Sequence, residues 1–167
     1  MPPTTPLVIP EPGRPHPLPD YGVPETGEGL LSWDFVVARM TAARNYWIAT
    51  ILPNGLPHAV PIWGVWLEDR LHFGGGPQTR WSRNLARNPN LVAHSESGAE
   101  VVIIEGMAIG NTDAQSAMMK RLDDAYEAKY NLRHGPPIWT LHPEKVLAWK
   151  EYPTSVTRWV FPKTSRL

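Results

Sequence analysis

The chain has 167 residues and a mass of 18.7 kDa, with 42% hydrophobic residues, which is enough for one domain with a packed core and excludes wholesale disorder. Sixteen basic side chains balance sixteen acidic ones, so bulk positive charge for nucleic-acid binding is missing. The absence of cysteine removes disulfide scaffolds, thiolate zinc sites, iron–sulfur clusters and cysteine nucleophiles, and no apolar run reaches the roughly 18 residues of a membrane span or the pattern of a signal peptide. These features lead us to expect a soluble, cytoplasmic protein.

Residues 1–30 hold nine of the nineteen prolines. Proline fixes φ and lacks an amide donor, so this stretch is expected to be an arm, either solvated or packed over a neighbouring subunit through Val8, Ile9 and Tyr21. Ser32 suits an N-cap, and Trp33, Val36, Val37 and Met40 recur at helical spacing, predicting a helix that ends near Ala43. Two runs rich in β-branched and aromatic residues then flank Asn54-Gly55, a strong hairpin signal. Pro61 predicts an edge position or a bulge in the second run. A turn at Glu68-Asp69 leads to a third strand, Arg70 to Phe73, which breaks at Gly74-Gly75-Gly76-Pro77.

Residues 79–87 read as a helix stopping at Asn88-Pro89. Two strands follow, Leu91 to Ser95 and Val101 to Ile109. Thr112-Asp113-Ala114-Gln115 has the form of a capping box and predicts a helix with Ala114, Ala117, Met118, Leu122, Ala125 and Tyr126 on one face. After Gly135-Pro136-Pro137, two last strands are expected, Lys145 to Lys150 and Ser155 to Phe161. About seven closely spaced antiparallel strands and three helices predict a small, mainly β (α+β) barrel with short helices on its rim.

The stretch Phe73 to Arg87 carries most of the chemistry. Three glycines allow close backbone approach, and a helix start presents free amides and the positive end of its dipole. Arg80, Arg83 and Arg87 fall on one face of that helix, and no acidic residue lies between Gly74 and Ser95. The guanidinium fork matches phosphate, and Thr79 can add a hydroxyl. A solvated basic helix face is the plain alternative. There is no Walker pattern and no GxGxxG turn, so nucleotide hydrolysis and ordinary nicotinamide binding fall away. Trp47, Trp63, Trp66, Trp81, Trp139, Trp149 and Trp159 are each core candidates, yet together they can wall a flat aromatic ligand. A phosphate site beside an aromatic-rich barrel points to a phosphorylated planar cofactor.

The other polar residues give less. His58, His72 and His94 fall on strands without metal-site spacing, so no metal is expected. His58 is the candidate substrate contact. Glu100 and Glu105, placed on one strand, are expected to face opposite sides and form no acid/base pair. No Ser-His-Asp set is recognisable, and no catalytic residue is assigned.

On YWIATILPNGLPHAVPIWGVWLEDRLHFGGG, TRWSRNLARNPNLVAH, VVIIEGMA and TRWVF, the chain from about Leu31 to Phe161 resembles the pyridoxamine 5′-phosphate oxidase-like, FMN/F420-binding split-barrel family. The resemblance implies a homodimer with FMN, or alternatively coenzyme F420, at the subunit interface. It implies phosphate contacts from Thr79, Arg80, Arg83 and Asn84, and ring-lining positions at Trp47, Ile48, Ala49, Thr50, Val60, Pro61, Ile62 and Trp63. Trp149 and Arg158 would reach the partner subunit's cofactor. The C-terminal TRWVFPKTSRL departs from the arginine-leucine-rich substrate segment of true pyridoxine phosphate oxidases, so a different oxidoreductase activity, hydride transfer between the bound cofactor and a small organic substrate, is expected. Some relatives bind haem or only carry a flavin, which keeps a non-catalytic carrier as the alternative; a small-barrel nucleic-acid binder is the third reading.

Overall fold

The computed structural model describes residues 6–16 and 20–162. Its elements in chain order are α1 (Trp33–Ala42), β1 (Asn45–Ile51), β2 (Pro57–Trp63), β3 (Val65–Leu67), β4 (Arg70–Gly74), α2 (Arg80–Arg87), β5 (Asn90–Ser95), β6 (Val101–Asn111), α3 (Ala117–Tyr130), β7 (Ile138–Trp149) and β8 (Thr157–Val160). The eight strands form one curled antiparallel sheet in the order β2-β1-β5-β6-β7-β4-β3, with β8 also on β7. β7 has 12 residues, long enough for Ile138 to Thr140 to pair with β4 and Lys145 to Ala148 with β8. This is a half-barrel with three short helices, the split-barrel α+β fold expected above.

Local chemistry sets the turns. Gly55 holds φ +84° in the β1–β2 loop, where the Leu52 amide donates to Leu56. Pro61 lies on β2, at one end of the sheet, where a missing donor is tolerated. The sequence run after Asn54-Gly55 is not one strand. It divides at Gly64, and β2 and β3 end up at opposite ends of the sheet path. A Cβ at Gly64 would lie 2.9 Å from the His72 carbonyl oxygen, so only glycine lets the chain cross there without strain.

The last helix starts a turn later than the capping-box reading places it. Asn111 Oδ1 accepts from the Asp113 amide at 2.9 Å and Asp113 Oδ1 from the Gln115 amide at 3.0 Å, holding 111–115 as turns. Ser116 then caps α3, its Oγ accepting from the Met119 amide at 3.1 Å. The buried face becomes Met119, Leu122, Tyr126 and Tyr130, and Ala114 falls outside the helix. The strand expected at Lys145 also begins earlier, at Ile138; its Pro143 is opposite Gly106, and Glu144 beside it is the extra residue of a bulge in β7.

The main core packs Val36 and Met40 of α1, Trp81 and Leu85 of α2, and the inward residues of the sheet, among them Tyr46, Ile48, Phe73, Ile104 and Trp159. Each fully buried large side chain stabilises the fold by about 1.5–3 kcal/mol. A smaller cluster lies under α3. Of the arm, Leu7 and Ile9 pack on the main core, and Gly13 exchanges two backbone hydrogen bonds with Arg158 on β8. The Arg14 guanidinium donates to the carbonyls of Thr26, Glu28, Thr154 and Val156. Among the described residues no helix is long and apolar enough to cross a membrane.

Candidate functional site

α2 has two contrasting faces. Trp81, Ser82, Asn84 and Leu85 are buried, while Arg80, Arg83 and Arg87 point outward. None of the five ion pairs among the described residues uses these arginines. Three cations at i, i+3 and i+7 without a carboxylate repel one another, and that repulsion is relieved by an anion. Thr79 is the N-cap: its Oγ1 accepts from the Ser82 amide at 3.4 Å and donates to the Gly76 carbonyl at 2.9 Å.

The triple glycine is not wholly a ligand cradle. A Cβ at Gly74 would sit 2.2 Å from the His134 ring, and one at Gly75 would sit 2.4 Å from the Trp81 ring. Two of the three glycines therefore make room for side chains of this chain. Only Gly76 faces open space. Asn84 also turns inward. Its Nδ2 donates to Thr50 Oγ1 at 3.0 Å, and Thr50 Oγ1 donates to the His58 carbonyl at 3.4 Å, both side chains being buried. This chain of polar contacts ties α2 to β1 and β2.

The alternation of β1 sends Tyr46, Ile48 and Thr50 inward and Trp47, Ala49 and Ile51 outward. The register places Trp47 opposite Pro61 and His94, and Ala49 opposite Ala59 and Val92. Of the expected ring-lining residues, Trp47, Ala49, Pro61 and Trp63 thus share the outer face, while Ile48, Thr50, Val60 and Ile62 belong to the inner one. Trp47 is 37% and Trp63 44% exposed, whereas Trp81 and Trp159 are core residues. Trp66 and Trp139 pack on the core edge, and Trp149 meets Tyr152 edge-on at 6.1 Å.

A cavity of about 720 Å³ opens on the outer face beside Ala49 and Ile51, bounded by Val92, Met107, Glu105 and Glu144. A second, of about 400 Å³, adjoins it through Ile51 and is lined by Arg87, Asn88 and the β1–β2 turn. Neither has Arg80 or Arg83 in its lining. Trp149 and Arg158 lie on β7 and β8, and β7 is three strands from β1, roughly 14 Å at the usual spacing.

The histidines separate by environment. His72 is 2% exposed, with Nε2 3.0 Å from the Leu67 carbonyl and Nδ1 3.0 Å from Thr140 Oγ1. Burial first, with help from Arg70 and His142, lowers its pKa to about 4. His94 Nδ1 meets the Ser95 carbonyl at 2.7 Å. His58 lies opposite Thr50 on β2, and its buried Nδ1 has no partner among the described residues. Glu100 lies just before β6 and pairs with Arg39, while Glu105 pairs with Lys145 at 2.7 Å. No metal-holding group of three or more His, Asp or Glu side chains occurs among the described residues.

Sequence reasoning missed a polar cluster at the end of α3. Lys129 Nζ donates to Tyr46 Oη at 2.9 Å and to the Gly64 carbonyl at 2.8 Å, 4.6 Å above the Tyr46 ring. Burial first, then Arg44, lowers its pKa to about 8, and burial raises the Tyr46 phenol well above its ordinary range. The sequence signal was present in Tyr126 and Tyr130 at i, i+4 with Lys129 between them, but its target, Gly64, is 66 residues from Tyr130.

No family model and no curated protein matches this sequence. Solved structures do match. A conserved hypothetical protein from Mycobacterium tuberculosis, Rv2991, superposes with a TM-score of 0.63 at 16% identity, over 74% of this chain and 88% of that one. A candidate pyridoxamine 5′-phosphate oxidase from Listeria innocua gives 0.59 at 15% identity, over 71% and 98%. An F420 reductase gives 0.53 at 19% identity, over 68% and 95%. At such identities the likeness establishes the fold alone: this chain is a split barrel, like these structures.

Proposed function

We propose that the protein binds FMN or coenzyme F420 and is an oxidoreductase acting on a small organic substrate. The observation that carries this reading is the row of arginines on α2 that enter no ion pair among the described residues, on a helix packed against β1, whose outer face carries the half-exposed Trp47. The residues present fit such a group. Arg80 and Arg83 are one turn apart and can grip one phosphate, and indole faces suit a planar ring. A bound flavin or deazaflavin supplies hydride transfer; the chain's own residues hold the anionic end, orient the ring and shield it from water. No side-chain acid or base is required for that division of labour, in keeping with the structural role of His72.

The reading includes a homodimer. Trp47, Ile51, Trp63 and Val160 are 37–55% exposed large apolar residues on strands of one sheet. In this reading Trp149 on β7 and Arg158 on β8, three and four strands across the sheet from β1, serve the ring held by a second copy. The two solved relatives named for pyridoxamine 5′-phosphate oxidase and F420 reductase support a cofactor of this class.

The test is mass spectrometry of the coenzyme that accompanies the protein from its native host, followed by reduction of the bound ring and exposure to acceptors. FMN or F420 at one per chain, reoxidised by an organic acceptor, is expected. A tightly held ring inert to every reductant and acceptor would make the protein a carrier, and failure to bind either coenzyme would overturn the reading.

A further inference from the structure

The Tyr126 side chain on α3 is fully buried, and its hydroxyl meets backbone groups from two strands that do not pair. It donates to the carbonyl of Trp63, the last residue of β2, at 3.3 Å. It accepts from the amide of Gly74, the last residue of β4, at 3.1 Å. β2 closes one end of the sheet path and β4 lies next to the other, so this one hydroxyl spans the open seam of the barrel.

The neighbouring side chains fasten the same two places. The Tyr130 ring stacks on Trp63 at 4.7 Å with 6° between planes, and its Oη accepts from the Gly64 amide at 3.0 Å. Lys129 holds the Gly64 carbonyl. The His134 ring fills the space beside Gly74. A buried hydroxyl is costly unless its bonds are made, and Tyr126 makes one as donor and one as acceptor.

We propose that Tyr126 is a positioning residue, fixing the aromatic wall at Trp63 relative to the loop that runs from Gly74 to Arg80 and Arg83. What this spacing serves rests on the function proposed above: a ligand with a planar ring and an anionic group must meet both places at once. Phenylalanine at position 126 would keep the packing and lose the tie.

The experiment compares Tyr126→Phe with Ser155→Ala, which removes a buried hydroxyl that caps the 150–155 turn away from α3. Amide hydrogen exchange is followed without ligand, and FMN and F420 are titrated by visible circular dichroism. Tyr126→Phe is expected to speed exchange of residues 63–67 and 74–79 together, to weaken ligand binding about three- to tenfold, and to alter the bound ring's dichroism. Ser155→Ala is expected to lower thermal stability and change none of these. Unchanged exchange in either segment of Tyr126→Phe, or unchanged ligand affinity with an unchanged spectrum, would overturn the proposal. If the wild-type protein binds neither coenzyme, the functional reading fails separately, and the exchange result alone decides whether Tyr126 couples the two segments.

Discussion

His72 allows a direct test of how this barrel treats a buried titratable group. The ring on β4 is satisfied as a neutral imidazole, with Nε2 donating to the Leu67 carbonyl and Nδ1 accepting from Thr140. Its pKa of about 4 lies below the ordinary 6.5 because burial penalises the cation, and Arg70 and His142 add repulsion. The Leu67 carbonyl and Glu68 act in the opposite sense and are outweighed. Below pH 6.5 the unfolded chain takes up a proton that the folded chain refuses until about pH 4, so stability falls as the pH drops through that window. At about 1.4 kcal/mol per pH unit, the loss is about 2 kcal/mol by pH 5 and roughly 3 kcal/mol by pH 4. Urea unfolding of the wild type and of His72→Gln at pH 7.5 and pH 5 isolates the effect, since carboxylates and His142 remain in both. The wild type should lose about 2 kcal/mol more than the variant between the two pH values. Parallel losses would refute the reasoning and reopen His72 as a group that titrates near neutrality.

Other outcomes follow from single contacts. Gly106→Ala places a Cβ 2.1 Å from the His142 carbonyl oxygen and should cost about 1–3 kcal/mol in urea unfolding, whereas Gly76→Ala, with open space around it, should change stability by under about 0.5 kcal/mol. Equal effects would contradict the bulge packing. Asn84→Ala removes the buried donor to Thr50 and should cost about 1–3 kcal/mol; an unchanged stability with weakened coenzyme binding would instead make Asn84 a ligand contact. Lys129 gives up its proton near pH 8 in the folded state but near 10.5 when unfolded, so thermal stability should rise with pH above about 8. Above about pH 10 the unfolded tyrosines ionise while Tyr46 and Tyr126 resist, which reverses the trend. The rise should vanish in Lys129→Met, and a steady fall from pH 8 in the wild type would contradict this assignment.

The strands around Asn54-Gly55 and Glu68-Asp69 were legible because turn chemistry and β-branched runs are local signals. The crossing at Gly64 was not, since a lone glycine in a strand reads equally well as a bulge, and the His72 carbonyl that demands it arrives later in the chain. The capping-box pattern at Thr112 misled for a related reason: Asn111 and Asp113 spend their side chains on turns, and Ser116 is the residue left to cap. In the candidate site the arginine row was legible from spacing and from the missing acidic residues. The same spacing puts Asn84 with Trp81 and Leu85, so its inward direction was readable too. The roles of Gly74 and Gly75 depend on the rings of His134 and Trp81 in three dimensions, and no local pattern carries the first of these.

The central claim is that the α2 arginines hold the anionic end of a planar coenzyme. It is tested most directly by titrating the wild type and an Arg80→Ala/Arg83→Ala double variant with FMN and with riboflavin, which lacks the phosphate, and likewise with F420 and its phosphate-free core. In the wild type the phosphorylated form of the coenzyme that binds should win by roughly 1.5–3 kcal/mol per arginine contact, about tenfold or more. In the double variant that preference should collapse to near parity while the bare ring binds as before. A preference for the phosphate that survives loss of both guanidinium groups would contradict the account.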